Sequence, residues 1–303
     1  MTTAIERQEQ HLLLMSAIGT LGLSLIGIAI GLWTGAKSIV FDGMYDVVDA
    51  GMTLSAFFAA RLIARGIDRR FQYGYWHIEP MLVFLNGSVL LFACFYAFID
   101  GIGAVLAGGR EVSFGIGIVY AALGMMISFA IYGFVRRKGK GLDSSLLQLD
   151  ARAWLLGGLL SAGLCVAFLG AALLHGTVIQ QYAVYVDPVI LMILAIVMSP
   201  LPLRTLMVAG REILQIAPID LDEKVRQVAH EVALRHDFIE HQSYVTKVGR
   251  AQFIEIGFVA RSANTTKTLG ELDAIRQEVA DALGGLRPGY WLTIDFTADR
   301  QWI

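Results

Sequence analysis

Three aspartates, Asp42, Asp46 and Asp49, interrupt an otherwise apolar run over residues 38–51 that reads as a membrane-spanning helix. Spacings of four and three residues stack the carboxylates on one helical face, with Tyr45 beside them. Two turns separate the outer pair, roughly 10 Å. A carboxylate at membrane depth costs about 2.5–3.5 kcal/mol even on the lenient insertion scale. Three on one helix must therefore face a cavity, a proton or a cation. Ionised carboxylates and a phenol oxygen are donors that suit divalent cations. Asp49 lies about a dozen residues into the helix, near the bilayer midplane, where an alternating-access site belongs.

The elements that position this stripe follow from composition. Of the 303 residues 56% are hydrophobic, which is too apolar for an ordinary soluble domain and points to several spans. Six apolar segments are expected, at about 11–33, 38–63, 80–106, 114–135, 146–174 and 182–208. The first follows a charged start and reads as an uncleaved span. Loop charges set the orientation. Arg61, Arg65, Arg69 and Arg70 follow the second segment, and Arg136, Arg137, Lys138 and Lys140 follow the fourth. Arg204 and Arg211 end the sixth, whereas the opposite loops offer only Lys37 and Arg110. Both termini are thus expected in the cytoplasm, in an integral protein of the cytoplasmic (inner) membrane. A net charge of −2 leaves no nucleic-acid footprint. Cys94 and Cys165 sit in apolar segments with no CxxC spacing, which excludes a zinc knuckle or disulfide framework.

After Gly210 the chain turns polar. Val225, Val228, Ala229 and Val232 make a helical stripe. Residues 244–248 and 253–260 alternate as strands around a Gly249-Arg250 turn, and 268–283 reads as a second amphipathic helix. Leu292, Ile294 and Phe296 alternate in a last strand. The order αββαβ predicts a two-layer, ferredoxin-like α+β domain. The expected division is a transport domain over 1–210 and a cytoplasmic regulatory and dimerisation domain over 211–303.

Six spans with cytoplasmic ends, acids in the second and an αββαβ tail together resemble the cation diffusion facilitator (cation efflux) family over essentially the whole chain. The resemblance implies a homodimeric, proton-coupled exporter of divalent metal, with no organic cofactor and no enzymatic activity. The family's primary site takes two ligands four residues apart from the second span and two from the fifth. The flanking pattern SI…D…DAG matches Tyr45 and Asp49 to the first pair, although the spacing also fits Asp42 and Asp46. Tyrosine at that place resembles members associated with iron or manganese more than the zinc-selective ones; zinc and cobalt stay open. In the fifth span, LQLDARAWLLGG, Asp150 matches a preceding acid, but the ligand positions fall on Ala153 and Gly157, which cannot bind metal. A degenerate member acting as partner or metal sensor is the alternative implied.

Further candidates are weaker. YGYWHIEP (73–80) resembles the family's loop metal motif but keeps only His77 and Glu79 as donors, and interfacial capping explains the stretch equally. His230, His236 and His241 with Asp237, Glu240 and Asp295 offer imidazole and carboxylate for a peripheral metal in the tail. Asp187-Pro188 opens the sixth span, with Asp as its cap. A phospholipid-head-group transferase also clusters Asp in a membrane, but Asp42-Gly43 here is followed by Met44 and Tyr45, without the Ala-Arg of that motif.

Overall fold

The computed structural model describes residues 4–63, 65–139, 145–173, 180–261, 267–285 and 289–303. Within these, the side chains of 4–13, 49, 52–54, 56–58, 60, 139 and 145–149 lie outside the description. Seven helices come first: α1 (Ala4–Thr34), α2 (Lys37–Ile63), α3 (Ile78–Leu106), α4 (Phe114–Gly139), α5 (Ser145–Leu173), α6 (Val186–Met198) and α7 (Pro200–Ile213). Then follow α8 (Ile219–Arg235), β1 (Phe238–Val248), β2 (Ala251–Ala260), α9 (Leu269–Leu283) and β3 (Tyr290–Thr297). The αββαβ order of the tail is as read from its hydrophobic pattern.

Among the described residues, five stretches are long and apolar enough to cross a membrane: Leu14–Thr34, Ile78–Leu106, Phe114–Lys138, Asp150–Leu173 and Gln180–Ile213. The helix carrying the acids, α2, is not counted among these, since residues 49, 52–54, 56–58 and 60 within it are not fully described. The outward faces are apolar: Leu25, Phe92, Phe95, Val166 and Leu173 are all exposed, as suits lipid and not water.

The sixth expected span is interrupted. The helix ends at Met198 and restarts at Pro200, with Ser199 between. Proline has no N–H, so Pro200 and Pro202 cannot donate to the carbonyls of Ile196 and Met198 four residues earlier. The ladder otherwise continues, with Ser199 N–H on the Ala195 carbonyl at 3.2 Å and Leu203 N–H on the Ser199 carbonyl at 3.1 Å. Asp187 also behaves differently from its expected role. It caps α2, not its own helix.

Contacts divide the chain into two compact units, 1–55 with 86–204, and 56–85 with 205–303. In the first, small residues let helices approach closely. A Cβ on Gly43 of α2 would stand 2.7 Å from the Ser24 carbonyl of α1, and one on Gly117 of α4 would stand 2.9 Å from the Phe168 ring of α5. In the second, the sheet has order β1-β2-β3, antiparallel then parallel. The β1–β2 turn needs a positive φ, which Gly249 supplies at 59°. Val225, Ala229 and Val232 of α8 and Ile275, Val279 and Leu283 of α9 pack on Ile254, Ile256 and Phe258. Phe238, Phe258 and Phe296 stack at 5.0–5.7 Å between centroids.

This second unit also takes in the segment between α2 and α3. Tyr73 packs on Trp291 at 5.3 Å, Arg250 pairs with Glu79 at 3.3 Å, and Glu212 at the end of α7 accepts from Lys247 and from Gly249 N–H. The β1–β2 turn is therefore tied both to the first turn of α3 and to the last turn of α7.

Candidate metal centre

At about 100° per residue, an α-helix spreads Asp42, Asp46, Asp49 and Tyr45 over an arc about 100° wide. Asp46 and Tyr45 fall at its two edges and Asp49 between them. An arc that wide meets different neighbours at its two sides. On one side, Asp46 accepts from the Ser24 hydroxyl of α1 at 3.3 Å. Both Asp42 and Asp46 act electrostatically on the Tyr120 phenol of α4, whose hydroxyl lies against Gly27 of α1. On the other side, Tyr45 follows Phe41 into the cluster formed by Cys94 and Ala97 of α3 with Leu191, Leu194 and Ala195 of α6. Its hydroxyl donates to the Met198 carbonyl at 3.4 Å. Asp46 and Tyr45 thus meet different neighbours from the two edges of one arc. The side chain of Asp49 lies outside the described residues; its place on the helix is one turn beyond Tyr45.

The two positions on α5 that the family resemblance assigns to ligands are indeed bare. Ala153 is exposed, and a Cβ on Gly157 would meet nothing within 4 Å. Asp150, one turn earlier, is instead built into the join between α5 and α1. Its Oδ1 accepts from the buried Ser16 hydroxyl at 2.7 Å, and Ser16 Oγ in turn accepts from Trp154 Nε1 at 2.6 Å. Its Oδ2 is buried and has no hydrogen-bond partner among the described residues. Serine in the first span and tryptophan in the fifth carry no signal of such a role by themselves; only packing brings them to the carboxylate.

At the other end of α2, Asp187 is wholly buried. It accepts from Lys37 N–H at 3.2 Å, Ser38 N–H at 3.1 Å, the Ser38 hydroxyl at 2.5 Å and Arg110 Nη1 at 3.2 Å. Asp100 bridges Arg110 at 2.6 Å and Lys37 at 2.5 Å. The first amides of α2, which have no partner within their own helix, are satisfied by a carboxylate from α6.

The peripheral candidates are spread out. His77 stacks on Phe71 at 5.5 Å. Its neighbour Tyr75 donates to Asp68, which also accepts from Arg70 and Phe71 N–H at 2.7 Å. The Tyr75 bond, foremost, holds the Asp68 carboxyl below the usual range. His230 and His241 face each other at 5.6 Å, whereas His236 turns to Glu278 at 2.8 Å. Asp237 and Glu240 are taken by Arg261 and Arg300 at 2.7 and 2.6 Å. Among the described residues no three His, Cys, Asp or Glu side chains converge as a metal site.

These pairings make the tail acid-sensitive. Burial first, then the His230 charge, holds His241 below the usual histidine range, so the unfolded chain binds its proton more readily. Stability from this group is full above about pH 6.5 and falls as the pH drops through that value. The His236 bond, first, holds Glu278 below the usual carboxylate range, so its contribution is present above about pH 4.5 and is lost below it. Protection of the β1 and α8 amides against hydrogen exchange, corrected for the intrinsic rate at each pH, should fall in two steps across this window in the intact protein. A profile flat from pH 7 to 4 would contradict both assignments.

Residues 13–214 match the family described as the cation efflux transmembrane domain. Among curated proteins, the chain is 27% identical over 109 residues to Metal tolerance protein C2 of Arabidopsis thaliana, covering 36% of this chain and 28% of that protein. It is 23% identical over 127 residues to magnetosome protein MamB of Magnetospira sp. (strain QH-2), covering 41% and 42%. It is 28% identical over 88 residues to zinc transporter 7 of Homo sapiens, covering 29% and 23%. Each alignment thus spans less than half the length of the relative it matches.

Proposed function

The chain belongs to the cation efflux (cation diffusion facilitator) family, and from that premise we propose that it exports a divalent transition metal, of the Zn/Fe/Mn/Co class, in exchange for protons across the cytoplasmic membrane. In this reading α2 is a sixth span, both termini are cytoplasmic, and residues 1–210 carry transport. Residues 211–303 form a ferredoxin-like domain that pairs two protomers and senses cytoplasmic metal through His230, His236 and His241. Asp49 and Tyr45 are the leading ligands, with Asp46 and Asp42 behind them; His77 is a peripheral one.

The observation that carries the reading is the acid-bearing α2 packed inside apolar helices, with Asp46 turned to Ser24 and Tyr45 to α6. Neither side chain is spent on lipid. Carboxylates also supply the coupling, since metal must displace their protons and protons in turn displace metal. The test is flux of Zn2+ and Mn2+ in proteoliposomes under an inward proton gradient. Flux that ignores the gradient would count against exchange, and no flux at all would leave the chain a non-transporting member.

Asp150 is our assignment for a second proton-holding group, because one of its oxygens is buried without a partner. Asparagine keeps the Ser16 bond but holds no exchangeable charge. Asp150→Asn should leave Zn2+ affinity at neutral pH within about twofold, or about 0.4 kcal/mol, while flux loses most of its response to the proton gradient. An unchanged gradient response would remove Asp150 from the coupling.

A further inference from the structure

The deficit on α5 has a counterpart on α6. The Met198 carbonyl is deprived of its helical donor by Pro202, and the oxygen that reaches it is the Tyr45 hydroxyl, 3.4 Å away. The neighbouring interruption is resolved differently. Pro200 deprives the Ile196 carbonyl, and the Ser199 hydroxyl of the same helix covers it at 3.0 Å. Two prolines two residues apart thus release two carbonyls; one is closed off locally and the other meets the candidate ligand on α2.

We infer that the Met198 carbonyl is a ligand of the transported ion, replacing a donor that α5 lacks at Ala153 and Gly157. The inference rests on the transport reading above. Its geometry is suitable, because two oxygens held about 2.1 Å from one tetrahedral ion stand about 3.4 Å apart. Carbonyl oxygen accepts a divalent cation without losing a proton, so it adds coordination and leaves proton exchange to the carboxylates. Backbone released from a helix at membrane depth is tolerated where protein or a cavity covers it, and Tyr45, Cys94 and Leu194 surround this joint. The donors gathered here, phenol and carbonyl, are oxygens, which suits Mn2+ better than the nitrogen- and sulfur-rich sets that favour Zn2+.

Full-length protein in detergent provides the test, with Mn2+ and Zn2+ as probes. Pro202→Ala restores an N–H to compete for the Met198 carbonyl; Pro200→Ala restores one to Ile196 only and controls for straightening the helix. Pro202→Ala should weaken Mn2+ binding by about tenfold, or 1.4 kcal/mol, and Pro200→Ala by less than about twofold. Methionine labelled with 13C at the carbonyl provides a readout that needs no proline variant. Of the ten methionine carbonyl signals, the one lost in Met198→Leu should shift on adding Zn2+. Equal effects of the two proline changes, or a Met198 signal indifferent to metal, would overturn the inference while leaving the exporter reading in place if the wild type still binds and moves metal. A wild type that neither binds nor moves Mn2+ or Zn2+ overturns both.

Discussion

Alanine in place of Asp49 is expected to reduce metal flux by about 100-fold or more, with the protein still folded and assembled as before. Losing even an outer-shell partner of a metal typically costs 10–100-fold, and a direct carboxylate ligand costs at least as much. Helical geometry gives Asp49 the middle of the acidic arc, between the Asp46 side that meets Ser24 and the Tyr45 side that meets α6. Asp42→Asn should cost less, because Asp42 sits about two turns nearer the Lys37 end of the helix. The measurement is Zn2+ and Mn2+ uptake into proteoliposomes, with size-exclusion elution as the control. Should Asp49→Ala transport like the wild type, Asp49 is not a ligand of the transported metal.

The largest loss of stability is expected from Asp187→Ala. That change strips the acceptor from two amides of α2, from the Ser38 hydroxyl and from one arm of Arg110, all in a buried setting. Breaking a buried charged pair from one side costs about 3–5 kcal/mol, because the remaining charge is left uncompensated. The detergent-solubilised protein should therefore melt on the order of 10 °C lower. Asp187→Asn separates the causes. Its amide oxygen can still accept from an α2 amide, but its NH2 group opposes the others and the charge facing Arg110 is gone. It should fall between wild type and alanine. If Asp187→Ala melts within a degree or two of the wild type, the Lys37 end of α2 is held by something else.

Much of this protein was legible in the chain before any coordinates. Hydropathy gave the apolar helices, and the αββαβ order of the tail followed from period-two and period-3.6 patterning with Gly249 at the β1–β2 turn. Such features are local: each depends on residues a few positions apart, which the backbone itself brings together. The acids of α2 were equally plain, because a charge in an apolar run is conspicuous wherever it ends up.

What spacing could not decide is which neighbour each donor meets. Asp46 and Tyr45 are neighbours along the sequence, yet Asp46 meets Ser24 of α1 and Tyr45 meets α3 and α6. Asp187 reads as the cap of the helix it begins, but it serves α2, 150 residues earlier. Ser16 and Trp154 become partners of Asp150 only when α1 and α5 pack. The prolines at 200 and 202 deprive two carbonyls of their helical donors; that one of these carbonyls meets Tyr45 is a fact of helix packing. Local periodicity assigns each residue a face, and only the assembled helices determine what stands opposite it.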